Sequence, residues 1–149
     1  MNSEISSSEL LQRLFKTSNI KHFVKLLDKK HEVIPFSAYI GRLCKERNIL
    51  PAQVIKRSGI ERTFGHQLFN GRRIPSRDKV IQIAFGFGLD YEQTQKLLKA
   101  SQKSPLYPKI GRDAVVIYAL KHGFGIIETQ ATLHDLSLPL LGKEERKYE

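Results

Sequence analysis

Between Glu61 and Arg77 the chain gathers polar and basic side chains in a pattern suited to reading a nucleic acid. Arg62, Thr63, His66 and Gln67 share one face of a short helical stretch, opposite Leu68 and Phe69. Arg grips the O6/N7 edge of guanine, Gln the N6/N7 edge of adenine, and a Thr methyl can touch thymine; these four are the candidate base readers. Asn70, Arg72, Arg73 and Arg77 follow at once, where a chain leaving a reading helix runs along a phosphate backbone, and Lys56 lies just before. Those five are the candidate phosphate contacts. Two alternatives stay open: Arg73 could pair with Asp78, and Arg77 could be an internal bridge. A solvated helix face is the other reading of the four base readers.

Other chemistries find little footing. The histidines at 22, 31, 66, 122 and 134 are dispersed and follow no metal-ligand spacing, so neither a metal nor a cofactor is expected. The single cysteine, Cys44, allows no internal disulfide and reads as a small apolar helix residue. Ser58, His66 and Asp78 can be drawn as a triad, but Ser58 sits in no nucleophile elbow. Phe85-Gly-Phe-Gly88 is a helix end rather than a nucleotide loop. The expectation is a protein without catalytic activity.

The elements that must position these residues are helical throughout. Ser8 opens a helix over Leu10, Leu11, Leu14 and Phe15, and Ser18 or Asn19 opens a second carrying Phe23, Val24, Leu26 and Leu27. Pro35 marks entry to the next unit, where Ser37 begins a helix ending near Asn48. Pro51 suits a first turn and opens a helix to Ser58, and Gly59 makes a tight turn into the reading helix, Glu61 to Asn70. Two short helices joined by such a turn are the signature of a helix-turn-helix, whose second helix enters the DNA major groove. A helix follows from Pro75-Ser76, and Asp90 with Gln93 forms a capping box for the next. After Ser104-Pro-Leu-Tyr-Pro108 two more helices are expected, near 112–122 and 126–136. No internal repeat and no strand is read.

A chain of 149 residues with 40% hydrophobic content is enough for one ordinary folded domain with small additions. Its net charge of +10 is uneven: residues 36–80 hold 10 Lys/Arg against 3 Asp/Glu. A basic excess centred on a helix-turn-helix is the electrostatic footprint expected of a phosphate-binding protein. The longest apolar run, 114–120, is too short for a membrane span, and the N-terminus carries no secretion pattern, so a cytoplasmic setting is expected. The organisation read is an N-terminal helical extension at 1–35, a DNA-binding domain at 36–101, a C-terminal helical pair at 102–141 and a frayed tail at 142–149. Neither flank is large enough for its own core, so each should pack on the central unit or on a second subunit.

The stretch from Ile49 to Leu89 resembles the Cro and phage-repressor helix-turn-helix, the XRE family. Val54, Ser58-Gly59-Ile60, Leu68, the loop Asn70-Gly71-Arg72-Arg73-Ile74-Pro75-Ser76, Ile83-Ala84 and Gly88-Leu89 carry the likeness without a gap. Arg72 to Lys79, Leu106-Tyr-Pro108 and Arg112-Asp113 resemble a subgroup of bacterial regulators of that family. The resemblance implies an all-α, phage-repressor-like five-helix domain flanked by helical pairs, binding double-stranded DNA as a homodimeric repressor. It departs from the pattern at Leu50 and Pro51, where the usual side-chain cap and a phosphate-binding Gln are missing, and at Gly65, where a small branched residue is usual. Phe64 is expected to compensate by packing inward. The alternative is an adaptor or antitoxin-like protein that binds a protein partner through the flanking helices.

Overall fold

The computed structural model describes residues 6–30 and 34–142, and every regular element among them is an α-helix. Two units separate: residues 1–33, and the much larger 34–149. The first holds α1 (Ser7–Lys16) and α2 (Ile20–Lys30). Ser6, not Ser8, caps α1 by accepting the Glu9 amide at 3.2 Å, and Asn19 caps α2 by accepting the His22 amide at 3.1 Å. No residue of α1 is buried, and Phe15 is 77% exposed.

The second unit begins with α3 (Phe36–Arg47), which Asn48 stops in the left-handed conformation at φ 54°. α4 (Pro51–Ser58) starts with proline, whose fixed φ suits a first turn. A serine or threonine cap is indeed missing there; Gln53 Oε1 instead reaches back to accept the Leu50 amide at 2.9 Å. Gly59 ends α4 at φ 75°, and buried Ser58 ties the turn by donating to the Ile55 carbonyl (2.7 Å) and accepting from the Ile60 amide (3.1 Å). α5 (Arg62–Phe69) follows after only three residues.

α6 (Arg77–Phe87) is the axis of the unit: every residue in it from Asp78 to Phe87 except Lys79 is buried. Its most extensive contact is with α4. Gly86 makes that approach feasible, because a Cβ there would collide with the Val54 carbonyl oxygen and with Val54 Cγ1 at 2.9 Å. Ile40, Val54, Leu68, Val80, Ile81, Leu97, Val116, Leu133 and Leu141 fill one continuous core. α7 (Tyr91–Ala100) carries the expected capping box, with Asp90 and Gln93 bonded reciprocally at 2.8 and 3.0 Å. α8 (Gly111–Lys121) and α9 (Ile126–Asp135) share that core, so the C-terminal pair packs within the same unit as the helices before it. The tail at 143–149 lies outside the described residues.

The expectation of no internal repeat does not hold. Hairpins α6–α7 and α8–α9 are built alike, 35 residues apart in sequence. Arg77-Asp78 stands at the start of one and Arg112-Asp113 at the start of the other. Gly88 and Gly123 take left-handed φ after α6 and α8, and Gln102 and Ser137 do so after α7 and α9. Thr94 and Thr129 each donate to the carbonyl four residues back, at 2.8 Å. Gln95 bonds both backbone groups of Leu106, and Gln130 those of Leu141. Residues 77–106 and 112–141 share identical residues at only nine of 30 positions, among them Val80/Val115, Ala84/Ala119 and Leu98/Leu133 beside the caps and hydrogen-bonding residues, too few to disclose the repeat by hydrophobic periodicity.

The two copies clasp each other through their Arg-Asp pairs. Arg77 takes Asp113 bidentately (3.1 and 2.8 Å) and Arg112 takes Asp78 likewise (2.9 and 2.7 Å). Each arginine also donates to two carbonyls 27 and 28 residues downstream: Ser104 and Pro105 for Arg77, Pro139 and Leu140 for Arg112. The aspartates are almost fully buried, with side chains 3% and 5% exposed, and such charges persist in a core only when paired and hydrogen-bonded in this way.

Candidate nucleic-acid interface

α5 is a two-turn helix whose first turn is organised by Glu61. That carboxylate accepts the Thr63 amide at 2.8 Å and the Phe64 amide at 3.0 Å. These two bonds, with a smaller contribution from the Arg73 charge, hold the Glu61 carboxyl below its ordinary range. Glu61 is thus the N-cap rather than a first-turn residue, and its charge faces the positive end of the helix.

The inner side of α5 rests on α4 through Gly65, which is buried. A Cβ at Gly65 would lie 2.5 Å from Ile55 Cγ2 and 2.8 Å from Cγ1. Here the branched side chain comes from α4 instead of α5, and glycine leaves room for it. Phe64 is half-buried against the core, as the departure at Gly65 led us to expect.

The outer side presents Arg62, Thr63 and His66, all exposed. A shallow depression of about 300 Å³ between α4 and α5 is lined by Lys56, Arg62 and His66 with Ala52, Ile55 and Ile60, so the structure brings these three polar residues together. Gln67 is half-buried, and its Oε1 accepts from Arg73 Nε at 2.6 Å. Arg73 in turn lies over the Phe64 ring, 4.5 Å from its centroid. Asn70 uses its side-chain oxygen to accept the Arg72 amide at 3.0 Å, turning the chain just past α5, and the Arg72 side chain is exposed.

Arg77 is placed otherwise than its sequence position suggests. Its side chain is 25% exposed and its guanidinium is occupied by Asp113 and two carbonyls, so it serves as the internal bridge and is not available to a phosphate. The alternative pairing of Arg73 with Asp78 is not what is seen either: Asp78 is held by Arg112, and Arg73 by Gln67 and Phe64. Lys56, Arg57, Arg62 and Arg72 have no carboxylate partner among the described residues.

Sequence reasoning passed over Lys79. Its Nζ lies 5.1 Å from the Phe64 ring centroid, so this ring from α5 carries a cation from the following loop and one from the first turn of α6. The only hint in the sequence is a lysine two residues after Arg77 at a helix start, which is too common a pattern to single out. Among the described residues no helix is long and apolar enough to cross a membrane. No family model, curated protein or solved structure matches the chain.

Proposed function

We propose that this chain is a sequence-specific DNA-binding regulator of the Cro and phage-repressor kind, with α4 and α5 as its helix-turn-helix and α5 in the major groove. The observation that carries the reading is the outer face of α5. It offers Arg62, Thr63 and His66 to solvent, with Lys56 beside them, and Lys56, Arg57, Arg62 and Arg72 are exposed cations with no carboxylate partner among the described residues. An exposed helix face carrying Arg62, with Lys56 of α4 beside it, suits a polyanion whose grooves admit a helix. The basic excess of residues 36–80 supports it.

In this reading Arg62 and Gln67 discriminate bases, each good pair contributing roughly 1–3 kcal/mol, while Thr63 and His66 supplement them. Lys56, Asn70, Arg72 and Arg73 fix the helix to the backbone. A homodimer would place two such helices about 34–36 Å apart on a palindromic site, and occupancy of that site represses transcription.

Selection of bound sequences from random duplex DNA tests the proposal, with Arg62→Ala and Gln67→Ala as controls. An enriched palindrome that both variants lose is the expected result. Absence of enrichment, together with tight binding to a co-purifying protein, would favour an adaptor. Arg72→Ala should weaken binding to all duplexes alike and lower the salt slope by about one.

A further inference from the structure

Three elements deliver side chains to one aromatic ring. Phe64 comes from the first turn of α5, Arg73 from the loop after it, and Lys79 from the first turn of α6. The Arg73 guanidinium carbon is 4.5 Å from the ring centroid and Lys79 Nζ 5.1 Å, both within the range of cation–π attraction. Arg73 Nε is further fixed by Gln67 Oε1, which leaves the two terminal nitrogens of the fork for a ligand. Neither cation forms a salt bridge with a carboxylate of the described residues. The nearest acid in sequence, Asp78, is taken up by Arg112 from the second hairpin, so the clasp keeps it from neutralising Arg73 and Lys79.

Two cations seated on one aromatic ring, neither paired with a carboxylate of the described residues, suit a ligand with at least one full negative charge and several acceptor oxygens. We propose that Arg73 and Lys79 form a phosphate-binding fork mounted on Phe64. Its ligand is a backbone phosphate of the bound duplex, and Phe64 is its positioning residue. Through Gln67 the fork is joined to the reading face, so the backbone contact and the base contact set each other's geometry. This inference rests on the DNA-binding reading.

The test uses the full chain and the duplex it selects, with affinity measured across a salt series. Lys79→Gln and Arg73→Gln should each lower the salt slope by about one. Phe64→Leu, which keeps an apolar side chain but no π face, should leave the slope intact and weaken binding about two- to fivefold for each cation it releases. In the Arg73→Gln/Lys79→Gln background, Phe64→Leu should cost nothing further. An unchanged slope in Lys79→Gln overturns the fork, and an undiminished Phe64→Leu effect in that double variant reduces the ring to core packing. If the wild-type chain binds no duplex, the functional reading itself falls; if it binds but the slopes do not move, only the fork does.

Discussion

Gly65→Ala is the sharpest probe of how α5 is seated. On an exposed helix this change stabilises by about 1 kcal/mol, since alanine loses less backbone entropy than glycine. At Gly65 the new methyl would sit 2.5, 2.8 and 3.2 Å from three carbons of Ile55, a residue only 3% exposed. Relieving such overlap in a packed interior costs roughly 1–3 kcal/mol, so the net effect is a destabilisation of about 1 kcal/mol. For a chain of this size that corresponds to a melting temperature lower by roughly 2–4 °C. Because α5 must also lift from α4, the DNA affinity proposed for this chain should fall more than stability does. A double-mutant cycle followed by urea denaturation isolates the cause. Ile55→Ala alone should cost about 2–5 kcal/mol, and the added methyl should recover part of it, giving a coupling of about 1–2 kcal/mol. Ile55→Val is the control: it keeps both Cγ atoms and so should give no relief. A Gly65→Ala protein more stable than wild type, or a cycle additive to within about 0.5 kcal/mol, would refute the packing account.

Asp113→Asn leaves Arg77 and the Tyr107 amide without their full partner. With the arginine partly solvated, the loss should be about 2–3 kcal/mol, less than for a fully buried pair, and calorimetry should show a melting temperature lower by roughly 5–10 °C. Glu61 titrates lower when folded than when unfolded, so it stabilises the fold above its ordinary value of 4.5 and ceases to do so as pH falls through the depressed folded value. Glu61→Gln should therefore be less stable than wild type at neutral pH, and the gap should narrow as the pH falls below 4.5; a gap that does not change with pH contradicts the capping role. Cys44 is buried and its thiol is pushed up by desolvation, so a thiol reagent should label it only as fast as the protein opens. Labelling of native protein at the rate of a free thiol would place Cys44 at the surface.

What could be read in advance followed from local chemistry. Proline at 51, glycine at 59, the capping box at Asp90 and the left-handed stop at Asn48 act within a few residues, and each lies where its own conformational preference puts it. Arg77 could not be placed in that way, because its partner lies 36 residues downstream and only tertiary packing brings the two together. The same holds for Gly65. From the sequence it is a departure from a familiar pattern; in the structure it is the complement of Ile55 on the neighbouring helix. Phe64 was expected to turn inward, yet its role as a seat for Arg73 and Lys79 depends on distances that no spacing rule supplies.

The paired hairpins also define which parts of this chain can be exchanged. At matching places α6 has Ile83, Gly86 and Phe87, all buried, whereas α8 and its C-cap have Tyr118, Lys121 and His122, all exposed. The first set is enclosed, and the Val54 carbonyl excludes even a methyl at Gly86; the second set faces solvent. Transplantation is therefore directional. Segments of α6 moved into α8 lose neighbours but meet no obstacle, whereas segments of α8 moved into α6 would bring a lysine against backbone. Two hairpins built alike are not interchangeable because only one of them is enclosed.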